Sequence, residues 1–272
     1  MTGRAIRLAL FAAGTVAVAG ASGAAYVSKA YVAASSAAGA PSTSQTQQFP
    51  FAEYDGRFTF VRVQYDMSLN QYGRGNRGGG NNPPWYHDYP KSDRSLSLII
   101  SEVTHLRTST AQTNIMRLDD PAIFKFPILY MSEPGYWHPS EKDVEALRAY
   151  LTKGGFIIFD DFAENDWPNF AVQMKRVMPG ITAMPLDGSE PVWRTFFDIG
   201  PEDLHMESYR GTAEFLGMFE ENDKRKRQFA MIDYKNDIGE FMEYSGMGFF
   251  PVNMSNEAFK LGVNFIIYAV TH

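Results

Sequence analysis

Two adjacent carboxylates, Asp160 and Asp161, end the apolar run Phe156-Ile-Ile-Phe159. Paired acids at the tip of a buried strand suit two kinds of chemistry. As hard oxygen ligands they fit Ca²⁺ or Mg²⁺. As close like charges they push one pKa upward, which suits general acid–base work. A plainer arrangement stands beside these: one Asp caps the next helix or meets an Arg while the other faces water. Asp237, in Asp233-Tyr-Lys-Asn-Asp237-Ile-Gly239, follows another predicted strand and can join the same rim or merely build a turn. The candidate ligand set is therefore Asp160, Asp161 and Asp237, with a divalent cation as the candidate cofactor.

Two aromatic clusters fall on predicted loops. They are Trp85-Tyr86-His87-Asp88-Tyr89-Pro90 and Tyr136-Trp137-His138. Aromatic faces interleaved with polar groups suit a sugar or a peptide, so Trp85, His87, Asp88, Tyr136 and Trp137 are candidate binding residues. The same composition also suits loops that pack down over a sheet edge. Other chemistries are excluded or weakened. The chain has no cysteine, so it has no thiol nucleophile, disulfide or Cys-ligated zinc. Its five His lack zinc-site spacing. Ser132, in Met-Ser-Glu-Pro-Gly, lacks the G-x-S-x-G frame of a hydrolase elbow. Gly73-Arg-Gly-Asn-Arg-Gly78 matches a dinucleotide fingerprint but runs into Gly79-Gly-Asn-Asn-Pro-Pro84, which cannot open a helix.

The elements around these residues are best specified from Phe126 to Phe162. The run Phe126-Pro-Ile-Leu-Tyr-Met131 has the length of a buried strand. Ser140 can cap a helix whose first turn holds Glu141 and Asp143, favourable at the positive end of the dipole. Val144, Leu147 and Leu151 form its apolar stripe, and Gly154 can end it in the left-handed conformation. The next strand, Phe156 to Phe159, does not alternate, so both its faces are expected to be buried, as in a central parallel strand. Phe58 to Tyr65 alternates as a strand, helical spacing follows Ser92-Asp93, and Asn114 to Leu118 is a short strand. A helix is expected from about Asp166 to Met178, and a strand over Ile181 to Leu186. Strands are also expected at Leu216–Phe219 and Phe229–Tyr234, and a closing helix capped by Ser255. Strands alternating with helices predict an α/β fold: three layers, a mostly parallel central sheet, and helices on both faces. Ligands in such sheets bind beyond the carboxyl ends of the strands.

The 272 residues carry a formal net charge of -6, which argues against a nucleic-acid partner. The hydrophobic fraction of 44% supports a sizeable core. Arg4 and Arg7 precede an uncharged apolar stretch, Leu8 to Val18, and Ala19-Gly-Ala21 fits a small-x-small cleavage site. Residues 1–28 are read as a signal peptide or a retained membrane anchor, 29–53 as a flexible tether, and 54–272 as one α/β domain with a Gly-rich insertion at 73–84. Both N-terminal readings put the domain outside the cytoplasm, periplasmic or anchored facing the periplasm.

Several segments together resemble a known family. They are Phe58-Thr-Phe-Val-Arg-Val63, Trp85 to Pro90, Leu118-Asp-Asp-Pro-Ala-Ile-Phe124, Phe126 to Ser132, Gly154-Gly-Phe-Ile-Ile-Phe-Asp-Asp161, Asn236-Asp-Ile-Gly239 and Leu261 to His272. In order over about Arg57 to His272, they look like the bacterial domain of unknown function 4159. The resemblance implies an exported or membrane-associated protein with a flavodoxin-like sheet similar to the class I glutamine-amidotransferase-like group. It implies no activity. The missing cysteine excludes the thiol chemistry of that wider group. The favoured function is a non-catalytic binding or envelope-assembly module, with a protein or glycan-like envelope partner. The alternative is a hydrolase that uses the strand-tip carboxylates with a divalent cation.

Overall fold

The computed structural model describes residues 51–68, 82–204, 206–208 and 211–272. The expected signal or anchor, most of the tether, and residues 73–81 of the Gly-rich insertion lie outside them. Among the described residues, no helix is long and apolar enough to cross a membrane.

The chain folds as an α/β protein around a seven-stranded sheet. Its strands are β1 (Val61–Gln64), β2 (Asn114–Arg117), β3 (Ile128–Ser132), β4 (Phe156–Phe162), β5 (Met184–Pro185), β8 (Glu214–Phe219) and β9 (Gln228–Tyr234), in the order β2-β1-β3-β4-β9-β8-β5. The two-residue strands β6 (Glu207–Ser208) and β7 (Gly211–Thr212) pair apart from it. The first five strands in that order are parallel, and β8 and β5 add an antiparallel edge. From β1 the chain steps out to β2, then crosses to β3 on the other side. That reversal is a topological switch point, and it opens a crevice beyond the carboxyl ends of β1 and β3.

Helices cover both faces. Helices α1 (Lys91–Val103), α4 (Ile238–Glu243) and α5 (Val252–Thr271) pack one side, through Leu96, Ile99, Ile100, Phe241 and Phe259. Helices α2 (Glu141–Thr152) and α3 (Trp167–Val177) pack the other, through Val144, Leu147, Leu151, Phe170 and Met174. Every residue of β4 is buried, as a strand between two parallel neighbours requires. Ser140 and Asp143 form a reciprocal capping box at α2, and Gly154 ends that helix at φ +107°.

Several expectations shift. The Ile181–Leu186 strand shrinks to Met184–Pro185, and the Phe58 strand proper begins at Val61. The expected Phe229–Tyr234 strand is met almost to the residue, at Gln228–Tyr234. Ser255 does not cap the closing helix, which starts three residues earlier at Val252; its hydroxyl donates to the Phe241 carbonyl and ties α5 to α4. Helix α4 has no counterpart in the sequence reading.

Candidate metal centre

The strand tips gather one imidazole and several carboxylates. Loop residues His87 and Asp88 follow β1, Glu133 follows β3, Asp161 lies near the end of β4, and Asp237 precedes α4. One ligand atom each from His87, Asp88, Asp161 and Asp237 lies within 4.8 Å of the others. His87 Nδ1 is 2.6 Å from Asp161 Oδ2 and 3.4 Å from Glu133 Oε1. Asp237 is fully buried, and its Oδ1 accepts the Glu240 N–H at 2.9 Å. Asp88 is 4% exposed; among the described residues neither of its carboxylate oxygens has a hydrogen-bond partner, and His87 Nδ1 comes no nearer than 3.9 Å to its Oδ1.

The local backbone aims these groups. Asp88, Glu133 and Asp161 all have left-handed φ, at 62°, 46° and 62°. Such residues cost on the order of 1 kcal/mol or more each, and they collect at functional sites. At Asp161 the left-handed turn coincides with a register shift between β4 and β9, which breaks strand alternation and re-aims the side chain. Asp160, its neighbour, goes elsewhere. Its carboxylate accepts the Tyr130 hydroxyl at 2.6 Å and the Ile238 and Gly239 N–H groups at 3.2 and 3.0 Å. Asp160 thus anchors the start of α4 rather than facing the cluster.

A buried arginine holds the loop that carries His87 and Asp88. Arg62, on β1, has no exposed surface. It donates to the His87 carbonyl at 2.7 Å, the Trp85 carbonyl at 3.2 Å and Ser92 Oγ at 3.1 Å. Its Nε lies 3.1 Å from Asp93 Oδ2, and its guanidinium sits 4.8 Å from the Tyr130 ring centroid. The same Tyr130 bonds Asp160, so Arg62 braces both sides of the cluster. On the β3 side, the Tyr65 hydroxyl donates to the Glu133 carbonyl at 2.6 Å. Gly239 supplies room: a Cβ there would fall 2.5 Å from Asp88 Oδ2 and 2.8 Å from the Tyr130 hydroxyl.

Burial and mutual repulsion set the proton balance. Burial opposes a charge on His87, but the Asp161 hydrogen bond and the Asp88 and Glu133 carboxylates outweigh it and raise the imidazole to about 10. Burial holds Asp88, Asp160 and Asp233 above the usual carboxyl range. A divalent cation would relieve this repulsion. One imidazole with carboxylate oxygens suits Mn²⁺, Zn²⁺ or Fe²⁺ as well as Mg²⁺ or Ca²⁺. A small cleft of about 160 Å³ adjoins the cluster, lined by His87, Asp88, Glu133, Pro84, Tyr89 and Tyr244.

Of the residues singled out from sequence, the structure brings Asp161, Asp237, His87 and Asp88 together. Trp85, Tyr136 and Trp137 are buried in the core on the α2–α3 side and present no aromatic face to a ligand. Glu133, Arg62, Asp93 and Tyr130 were not singled out for chemistry. A readable signal existed for Arg62, a charge inside an apolar alternating strand. Glu133 had none, since its approach depends on the left-handed turn after β3.

The family described as Domain of unknown function (DUF4159) matches residues 41–270, and the chain belongs to it. No curated protein matches the chain.

Proposed function

We propose that this member of the DUF4159 family binds a divalent cation at the carboxyl ends of β1, β3, β4 and β9. The proposed ligands are His87, Asp161 and Asp237, with Asp88 and Glu133 completing the set. The observation that carries this reading is Asp88. Its carboxylate is buried and, among the described residues, without a hydrogen bond, close to three other donor groups. A buried, unsatisfied carboxylate is costly unless it is neutralised or takes a ligand.

Four donors lie at single-ion spacing and Glu133 flanks them at His87, so few positions of a six-coordinate ion stay open, whereas catalytic zinc sites keep only about three protein ligands. That count favours holding a cation over turnover. We therefore read the domain as a binding or assembly module, with the remaining position open to an oxygen of a protein or glycan-like partner at the small cleft. The charge pattern of residues 1–28 supports placing it in the envelope, outside the cytoplasm. A cation-dependent hydrolase is the second reading. It is favoured by the cleft beside His87, which has room for an ion-bound water.

The test is a melting temperature measured in chelator and then with Mn²⁺, Zn²⁺, Mg²⁺ or Ca²⁺. Saturation at a hundred times Kd is expected to add about 2.7 kcal/mol of stability. Asp161→Asn is expected to abolish the rise. Wild-type protein that no cation stabilises, or an Asp161→Asn variant that responds equally, would reject the site. Release of product from phosphate or acyl esters by the loaded wild type, and not by Asp161→Asn, would select the hydrolase reading.

A further inference from the structure

A larger hollow than the cleft beside His87 lies elsewhere, at the opposite end of the sheet from the carboxylates. It has a volume of about 680 Å³ and opens beside the starts of β3 and β4, at Phe126, Pro127 and Gly155. That volume is in the range of small-molecule sites, about 300–1,000 Å³. Its walls are largely aromatic and aliphatic. Phe124 and Tyr150 pack edge to face at 6.0 Å, and Tyr54 meets Phe126 at 5.9 Å. Phe124 and Tyr54 remain 43% and 51% exposed, so their rings border open space.

Lys125 and Lys153 line the same hollow. Among the described residues, neither forms an ion pair. Lysines elsewhere do: Lys91 with Glu243, Lys224 with Glu190, Lys235 with Glu214, and Lys260 with Glu257. Lys153 Nζ instead sits 4.9 Å from the Phe124 ring centroid, which holds an ammonium over an aromatic wall. Arg57 also lines the hollow, but Asp55 at 2.6 Å already neutralises it. Two uncompensated cations at an apolar hollow contrast with a chain whose net charge is -6. The first fifty residues contain Arg4, Arg7 and Lys29 but no Asp or Glu, so they bring no carboxylate to these lysines.

We infer that this hollow is a second binding site, for a small organic anion with an aromatic or acyl body. The apolar part lies against Phe124, Tyr54 and Tyr150, and the anionic group meets Lys125 and Lys153. The site is independent of the cation centre.

The test uses anilinonaphthalene sulfonate, an aromatic anion whose fluorescence rises on binding, with the full chain. Binding at one site is expected, with competition by octanoate and none by inorganic phosphate or octanol at equal concentration. The double variant Lys125→Glu/Lys153→Glu is expected to weaken binding about tenfold or more. Lys142→Glu/Lys175→Glu makes the same charge change on exposed positions away from the hollow and is expected to leave binding unchanged. Circular dichroism melts identical to wild type establish that both variants fold. Absence of dye binding, equal weakening by the two double variants, or displacement by octanol as effective as by octanoate would overturn the proposal.

Discussion

At the scale of single residues, Arg62 carries more than any group in the proposed ligand set. It is a fully buried cation with one carboxylate partner, Asp93, and two loop carbonyls. Removing one member of such a pair leaves the other charge buried and alone, at a cost of roughly 3–5 kcal/mol. Arg62→Met is expected to lower unfolding free energy by that order in urea titrations. Arg62→Lys keeps the charge but loses the planar fork, so the protein is expected to fold while cation affinity drops as the His87 loop loosens. A folded Arg62→Lys protein with wild-type affinity would show that the loop holds its geometry without the fork. From sequence, Asp160 and Asp161 look interchangeable, and the structure separates them completely. That difference arises from one left-handed residue at a bulge, and residue types alone do not encode which of two adjacent Asp will turn.

At the scale of elements, the sequence was most legible where its signals were local. The β3–α2–β4 unit could be read because the Ser140 cap, the apolar stripe of α2 and the left-handed Gly154 each act within a few residues. Helix α4 escaped because six residues are too few to establish a helical period. Its one local signature was Asp237 followed by Glu240, the spacing of a cap and the third helical position. The antiparallel β8–β9 pair was partly legible as two apolar runs, but nothing local gave its direction. Asp160 and α4 support one another. Asp160→Asn places an amide where the carboxylate accepts two backbone N–H groups and a phenol. It is expected to destabilise the fold by about 2 kcal/mol and to speed amide exchange in α4 above all. If exchange rises uniformly instead, Asp160 supports the sheet rather than this helix.

At the scale of the whole molecule, the buried acids predict an inverted pH response. Asp88, Asp160 and Asp233 have folded pKa values above their unfolded ones, so the folded state keeps protons that the unfolded chain releases above about pH 4. Their contribution is fully present below that pH and is lost as pH rises. His87 acts in the same direction over a later window: its contribution is complete below about 6.5 and is lost as pH approaches 10. In chelator, the melting temperature is therefore expected to fall from pH 5 to pH 9. Added cation, which displaces these protons, is expected to stabilise more at the alkaline end. A metal-free protein that grows more stable across this range would contradict the assigned proton balance.

Gly239 has a mechanical consequence. With a hydrogen where other residues carry a Cβ, the start of α4 lies against Asp88 closely enough that a methyl would collide with the carboxylate. The loop after β1 and the helix after β9 are therefore geared together across the crevice. Neither can swing toward the other past this contact, and α4 is itself fastened to α5 by the Ser255–Phe241 bond. The wall of the crevice at Asp88 is thus continuous, through two contacts, with the closing helix.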